Sequence, residues 1–255
     1  MGVRVESLGS ELDSRICFAH RIRYDRWKID DSLSSLPLQD PTYIEINGEL
    51  IISGIKVRSE GHNIIWNQEF YRGDSIRNLE HFVSGPVGMK DIRLVNLEDR
   101  VGITTRPPGK VGGLGRIGYM EIGKIDELAK LTESDWYNAK LIDGLFGEKT
   151  WGGTNQILVL PNDILGVIGH KAYGVVSNDK LMKHYYAISF KFDPKTYSIS
   201  NLRTIARRVD FPPSSSKRNP ELDDVVFPAG IDDNYNLYCG LSDYCIGVKK
   251  IENPF

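Results

Sequence analysis

The sequence predicts an all-β protein, and three observations carry that expectation. Short segments rich in β-branched and aromatic residues recur along the whole chain, each bounded by Gly, Pro, Asn or Asp. Only one stretch has helical spacing. No composition break, low-complexity segment or long linker divides the 255 residues, so a single domain over residues 1–255 is expected. Many short strands joined by tight turns build a sandwich, a barrel or a propeller. Divided among five blades the chain supplies 51 residues each, close to the roughly 40–50 residues of familiar propeller repeats. The arithmetic permits a five-bladed β-propeller; the strand pairs repeat in type and not in sequence.

In chain order the strand segments begin with RICFAHRI (15–22). TYIEI (42–46) and ELIISGIKV (49–57) follow, joined by Asn47-Gly48, a strong two-residue hairpin signal. DIRLVNL (91–97) and RVGITT (100–105) flank the turn signal Glu98-Asp99. QILVLP (156–161) and LGVIGH (165–170) flank Pro161-Asn162-Asp163. YYAISFKF (185–192) runs into Asp193-Pro194, and LYCGL (237–241) and IGVKKI (246–251) follow the turn at Asp232-Asp233. Residues 124–143, KIDELAKLTESDWYNAKLID, place Ile125, Leu128 and Leu131 at helical spacing before the chain breaks into Trp151-Gly152-Gly153. Residues 212–220 form the most polar loop.

The bulk numbers exclude several classes. A formal net charge of −2 carries no nucleic-acid footprint. No apolar run is long enough to span a bilayer, and the N-terminus has no apolar signal core. Glu6 stands where myristoylation needs Ser or Thr. Cys17, Cys239 and Cys245 have neither metal-ligand spacing nor an even framework, so they are expected to be buried thiols in a reduced, cytoplasmic protein.

Polar residues gather where strands meet glycines. Lys90, Asp91 and Arg93 abut a strand; Arg106 precedes two prolines and the stretch GKVGGLG (109–115). Asn155 follows Gly152-Gly153, His170 lies between a strand and a small loop, Lys217, Arg218 and Asp223 sit in or beside the polar loop, and Asp243 closes LYCGLSD. Each has an ordinary reading. A histidine after a strand is more often hydrogen-bonded structure than catalyst, Lys-Asp-x-Arg is usually a solvated strand end, and Asn155, Asp243 and Asp40 can be turn residues. GKVGGLG lacks the Lys-Ser or Lys-Thr ending of a phosphate-binding loop, which rules out nucleotide binding by that route. Together, carboxylates, an amide, an imidazole and several cations suit a polyhydroxylated ligand carrying an anion.

Read as an ordered set, these stretches resemble a known family. They are RVES (4–7), LQDPTYIEINGELIISGIKV (38–57), FYRGDSIRNLEHFVSGPVGMKDIRLVNL (70–97), RVGITTRPPGKVGGLGRIGY (100–119), TWGGTNQILVLPNDILGVIGHKAYG (150–174), HYYAISFKFDP (184–194), SKRNPELDDVVFPAGI (216–231) and LYCGLSD (237–243). The chain resembles the uncharacterised-domain family 1861, which is similar to the mannosyltransferase-phosphorylases of glycosyltransferase family 108. More distantly it is similar to the β-mannoside phosphorylases of glycoside hydrolase family 130. The resemblance implies a five-bladed β-propeller with a central sugar site. The catalytic Glu-Asp-Pro-Arg of the distant family is matched by Gln39-Asp40-Pro41-Thr42, where the Asp and Pro agree and the flanks do not. Its His-Arg-Pro is matched by Thr105-Arg106-Pro107, its Tyr-His-Gly in part by Gly169-His170-Lys171, and its Gly-Ala-Ala-Asp by Gly240-Leu241-Ser242-Asp243. Its Asn-Lys-Asp is matched by Met89-Lys90-Asp91 and its Arg-Val-Glu by Arg4-Val5-Glu6, so close to the first residue that an N-terminal strand is expected to be missing or supplied from elsewhere.

A phosphorylase needs one acid for the leaving oxygen and a cationic clamp that holds phosphate in line with the anomeric carbon. A hydrolase needs a second carboxylate to activate water. The resemblance therefore assigns Asp40 as the catalytic acid, with Arg106, His170, Lys217, Arg218 and Lys90 binding phosphate through charge-assisted bonds. Arg4, Asp91, Asn155 and Asp243 would hold sugar hydroxyls. The expected activity is inverting phosphorolysis of β-mannosides to mannose 1-phosphate, or its reversal. The partners are a mannose-containing oligosaccharide and phosphate or mannose 1-phosphate; inorganic phosphate is the co-substrate, with no metal or other cofactor and no nucleic-acid or membrane partner. A hydrolase on the same propeller would draw on Glu69, Glu121 or Asp223 as the second carboxylate, and a non-catalytic sugar-binding propeller is the third reading. Pro41 is expected to bias Asp40 toward an extended backbone.

Overall fold

The structure is a computed structural model that describes residues 1–7, 10–23, 26–213 and 219–255. It is mostly β, with a few short helical turns. The chain divides into two compact units, one formed by Met1–Lys90 with Ile122–Trp136 and the other by Asp91–Glu121 with Tyr137–Phe255.

The first unit begins with a three-stranded sheet of β1 (Gly2–Val5), β2 (Arg15–Arg23) and β3 (Arg26–Ile29). A four-stranded sheet follows, in the order β4 (Gln39–Ile46), β5 (Glu49–Glu60), β6 (Asn63–Gly73) and β7 (Glu80–Ser84). Asn47-Gly48 forms the expected hairpin: both residues have positive φ (53° and 79°), and Ile46 pairs with Glu49. That left-handed pair matches the twist of the flanking strands. Ile16, Phe18, Leu36, Leu38 and Ile52 form the buried cluster of this unit.

The second unit starts with β8 (Arg93–Asn96), β9 (Val101–Thr105), β10 (Gly118–Ile122) and the two-residue β11 (Lys140–Leu141), neighbours in that order. Next come β12 (Thr150–Val159), β13 (Leu165–Ser177), β14 (Lys180–Asp193) and β15 (Ser198–Ala206), each antiparallel to the one before. The last three are β16 (Asp224–Ile231), β17 (Asn236–Leu241) and β18 (Cys245–Lys250), joined to β14 through a short parallel pairing at His184–Asp224 and Tyr185–Val225. Among the described residues the strands thus form four sheets, the last of them seven-stranded; by pairing between sequence neighbours they fall into five consecutive groups, β1–β3, β4–β7, β8–β11, β12–β15 and β16–β18, the last two joined in that one sheet. Two apolar clusters fill this unit, one around Phe190, Phe192 and Ile117, the other around Val226, Leu237 and Cys239.

The expected helix over 124–143 is corrected. It consists of a 3-10 turn at Ile125–Lys130, one helical turn at Glu133–Tyr137, and then β11. Thr132 and Asp135 explain the interruption. The Asp135 amide donates to Thr132 Oγ1 (3.3 Å) and the Thr132 amide to Asp135 Oδ2 (2.7 Å), a reciprocal cap that starts a new turn and ends the old one. Several strands carry no clean sequence signal, notably β6, whose NIIWNQEFYRG mixes polar and apolar residues on both faces.

Among the described residues no helix is long and apolar enough to cross a membrane, and no His, Cys, Asp and Glu side chains group as a metal site. The three cysteines are free, but only Cys239 is buried; Cys17 and Cys245 are half-buried, because each lies on a strand face that the unit covers incompletely. Burial pushes the Cys239 thiol up to about 12, and a protonated thiol is a poor nucleophile. Iodoacetamide at pH 8 is therefore expected to leave Cys239 unmodified in the native protein and to modify it once the chain is unfolded in urea. Peptide mass mapping checks this, and native labelling of Cys239 contradicts it.

Candidate active site

In the first unit Asp40 lies at a bulge. Gln39 pairs with Ile55 and Thr42 with Ser53, so Asp40 and Pro41 together oppose Gly54. The expected extended backbone is corrected: Asp40 has φ 53°, in the left-handed region. Proline disfavours right-handed helical geometry for the residue before it, and the first residue of this kind of bulge is commonly a left-handed glycine. Aspartate tolerates that region better than most residues, at about 1–2 kcal/mol. Gly54 makes the bulge possible, since a Cβ there would stand 2.7 Å from the Gln39 carbonyl oxygen.

Arg4 does not present a free guanidinium for a sugar hydroxyl. Its Nη1 donates to Asp40 Oδ1 (3.1 Å), while Nε and Nη2 reach Glu6 Oε2 (2.9 and 2.8 Å). Ser14 Oγ donates to the same Glu6 oxygen. Arg4 therefore bridges two carboxylates, with Asp40 about one-fifth exposed. Glu6 and Ser14 were not among the expected site residues. The signal for Glu6 was its place in Arg4-Val5-Glu6; Ser14 had none.

In the second unit Asp91, Arg106, Asn155 and His170 come together. Asp91 precedes β8 with φ 58° and is 2% exposed. Arg106 leaves the end of β9 and donates through Nη1 to Asp91 Oδ2 at 2.7 Å. Arg93, the first residue of β8, stands 4.0 Å from the other Asp91 oxygen. Its Nε donates to the Asn155 carbonyl (3.0 Å). Asn155 is not at a strand end: β12 runs through it, and the register slips between Thr154 and Gln156, leaving Asn155 as the extra residue. His170 likewise lies inside β13, opposite Gly153 and Ala187. The apolar run of β13 simply continues past the small residues that read as a loop. His170 Nδ1 meets Asn155 Oδ1 at 2.9 Å, and Nε2 is 3.8 Å from Asp91 Oδ2. Its ring lies between Tyr185 and Phe227 at centroid distances of 5.7 and 4.7 Å.

Glycines make this density possible. A Cβ on Gly153 would fall 2.7 Å from Asp91 Oδ2 and 2.9 Å from His170 Cε1. A Cβ on Gly115, whose φ is 127°, would fall 2.6 Å from Arg106 Nε. The stretch GKVGGLG is thus packing around Arg106, closed on itself by mutual backbone bonds between Gly109 and Gly113. Among the described residues Arg106 Nε is buried without a hydrogen-bond partner, as are the hydroxyls of Thr104, Thr105 and Thr154. Arg106 is only 9% exposed, so one edge of its guanidinium is anchored and Nε is left with unspent donor capacity.

Lys90 is exposed and makes no ion pair among the described residues. Asp243 is exposed at the β17–β18 turn, with φ 52°. Lys217 and Arg218 fall outside the described residues. Of the proposed second carboxylates, Glu69 accepts from His81, Ser84 and Asn67 (2.7, 2.6 and 2.9 Å). Glu121 accepts from Tyr119 and Arg100 (2.7 and 2.8 Å). Asp223 is half-buried, its carbonyl accepting from Ser242 Oγ.

A family model described as "Protein of unknown function (DUF1861)" matches residues 1–255. No curated protein matches the chain. Among solved structures the chain is similar to MPT-4, a mannose phosphorylase from Leishmania mexicana in complex with phosphate ion. Identity is 31%, the TM-score is 0.85, and the match covers 95% of this chain and 76% of that one. It is also similar to MPT-1, a GDP-Man-dependent mannosyltransferase from the same organism, at 28% identity and a TM-score of 0.88, covering 100% and 80% of the two chains. A hypothetical protein from Leishmania major matches at 30% identity and a TM-score of 0.83, covering 98% and 79%.

The buried pair gives a stability expectation. Arg106→Met leaves Asp91 short of its nearest cation, and breaking a buried ion pair from one side typically costs about 3–5 kcal/mol. Gly153→Ala forces a methyl onto Asp91 and His170, and such overpacking costs about 1–3 kcal/mol. Urea unfolding should show both losses; midpoints equal to wild type would contradict the packing described.

Proposed function

We propose that this chain, which belongs to the DUF1861 family, is an inverting phosphorylase of β-mannosides that releases mannose 1-phosphate and also runs in the synthetic direction. It is related to mannose phosphorylases and mannosyltransferases, and it is a carbohydrate-active enzyme of that kind. The finer reading adds the five-bladed β-propeller, supported by the five consecutive strand groups. It also adds the roles of individual residues.

One observation carries the phosphate assignment: Arg106 is locked at one edge by Asp91, and among the described residues the buried Nε on its other side has no hydrogen-bond partner, so the guanidinium is only partly neutralised. A phosphate oxyanion meets such a group with charge-assisted bonds. The relative solved with phosphate ion supports the same ligand class. In this mechanism a phosphate oxygen attacks the anomeric carbon of the terminal mannosyl residue. The glycosidic C–O bond breaks, and the leaving oxygen takes a proton from Asp40, directly or through a sugar hydroxyl. The products are mannose 1-phosphate and an oligosaccharide shortened by one residue. Arg4 and Glu6 fix the Asp40 side chain in place. His170 has a different role from the one expected of it: with one nitrogen on Asn155 and the other facing Asp91, it orients Asp91 behind Arg106.

The hydrolytic alternative is left with Asp223 as its second carboxylate, because Glu69 and Glu121 are occupied by two or three donors each. Mannosyl transfer from GDP-mannose is the second reading, favoured by the similarity to the GDP-Man-dependent structure.

The test is incubation with β-linked manno-oligosaccharides and inorganic phosphate, following mannose 1-phosphate. Release should depend on phosphate. Asp40→Asn keeps a residue that tolerates the left-handed backbone, so it should fold as wild type and lose about 10²–10⁴-fold in rate. Sugar release that ignores phosphate, or no product in either direction from a panel of acceptors, would sink the phosphorylase. Product from GDP-mannose alone would install the second reading.

A further inference from the structure

We infer that Trp151 and Tyr185 form an aromatic platform that receives the pyranose ring of the sugar substrate beside the Asp91–Arg106 cluster; this rests on the carbohydrate reading above. The strand register puts the platform together. Trp151 on β12 pairs with Ala172 on β13, and Ala172 pairs with Tyr185 on β14, so the three share one sheet face. The next row on that face is Gly153, His170 and Ala187. Small residues thus lie between and below the two large rings.

Trp151 and Tyr185 close over the buried Ala172, with centroids 6.1 Å apart at 82°. Trp151 Nε1 donates to the Tyr185 hydroxyl at 3.2 Å, so each ring satisfies the polar edge of the other. What remains on offer is apolar ring surface, and both residues are half-buried rather than closed off. Tyr185 lies nearly parallel to His170 (19°), which is itself 1% exposed and faces Asp91. The face therefore passes from a buried charged cluster, through an imidazole, to a partly open aromatic rim. Gly174, next on the same face of β13, leaves its place to the Leu181 side chain at the edge of the indole: a Cβ there would stand 2.7 Å from Leu181 Cδ1 and 3.7 Å from Trp151 Cη2.

A pyranose fits this sequence of chemistries. One face of the ring presents C–H groups that lie against an aromatic ring, while its rim presents hydroxyls to charged side chains. Binding sites of this type join aromatic walls to a few placed polar groups. A purine base also stacks on aromatic rings, so guanosine diphosphate is the control ligand.

The test uses the full chain without phosphate, so that no turnover is needed. Mannose and β-linked mannobiose are titrated against tryptophan emission and by calorimetry. A saturable emission change is expected in wild type and should vanish in Trp151→Phe, which leaves Trp27, Trp66 and Trp136 as the other indoles. Trp151→Leu should weaken the sugar by about tenfold, the scale of one lost aromatic contact, with a cooperative unfolding transition retained and inorganic phosphate binding unchanged. An emission change that persists in Trp151→Phe overturns the platform. So does a change produced by guanosine diphosphate and not by sugar. Phosphorolysis with no Trp151-dependent signal removes this inference alone, and a Trp151-dependent signal without mannose 1-phosphate formation upholds the platform while the phosphorylase reading falls.

Discussion

The second unit is organised around one interaction, the 2.7 Å bond between the Arg106 guanidinium and the Asp91 carboxylate. Both groups are almost removed from water, and a buried charge is tolerated only when its neighbours complete the pairing. The surrounding geometry reads as the set of conditions that make this pair possible. Asp91 takes a left-handed backbone. Gly153 and Gly115 leave out the side chains that would strike the carboxylate and the guanidinium. The bulge at Asn155 turns a carbonyl toward Arg93 and an amide toward His170. Local backbone strain of this kind persists where surrounding contacts over-determine it, and it clusters at functional sites.

The first unit solves a similar problem by the same means. Asp40 is also left-handed, also held by an arginine, and also faces a glycine that could not be replaced without a collision. The difference is burial. Asp91 is sealed, which suits a residue that anchors a cation; Asp40 keeps about a fifth of its surface, which suits a residue that must exchange a proton with a substrate. The two aspartates, indistinguishable as letters, are separated in exposure by their surroundings.

Much of this was legible in the sequence, and the failures have definite causes. Asn47-Gly48 specified its hairpin because only a left-handed pair fits a two-residue loop. Asp91, Arg106, Asn155 and His170 stood out as polar residues near glycines, and the glycines do mark close approach, while Asp40 stood out before Pro41 as the match to a catalytic motif. The backbone of Asp40 was misread because proline restricts its neighbour without revealing a bulge, which depends on the register with β5. His170 and Asn155 were placed at strand ends because a glycine was taken as a boundary; inside long strands glycine instead admits a neighbouring side chain. Arg4 was expected to hold a sugar hydroxyl; its carboxylate partner Glu6 stands two residues on, in the same motif, whereas Asp40 is 36 residues away and spacing alone does not join them. Trp151 and Tyr185 were invisible as a pair, since they are joined only through Ala172 on the strand between them.

The central claim is that the Asp91-anchored Arg106 is an anion site for phosphate. Calorimetric titration of inorganic phosphate into the wild-type protein, Asp40→Asn and Arg106→Gln tests it most directly. Saturable binding with similar affinity in the first two, and its loss in Arg106→Gln despite a cooperative unfolding transition, is expected. Phosphate binding that survives Arg106→Gln unchanged, or that is absent from the wild-type protein, would contradict it.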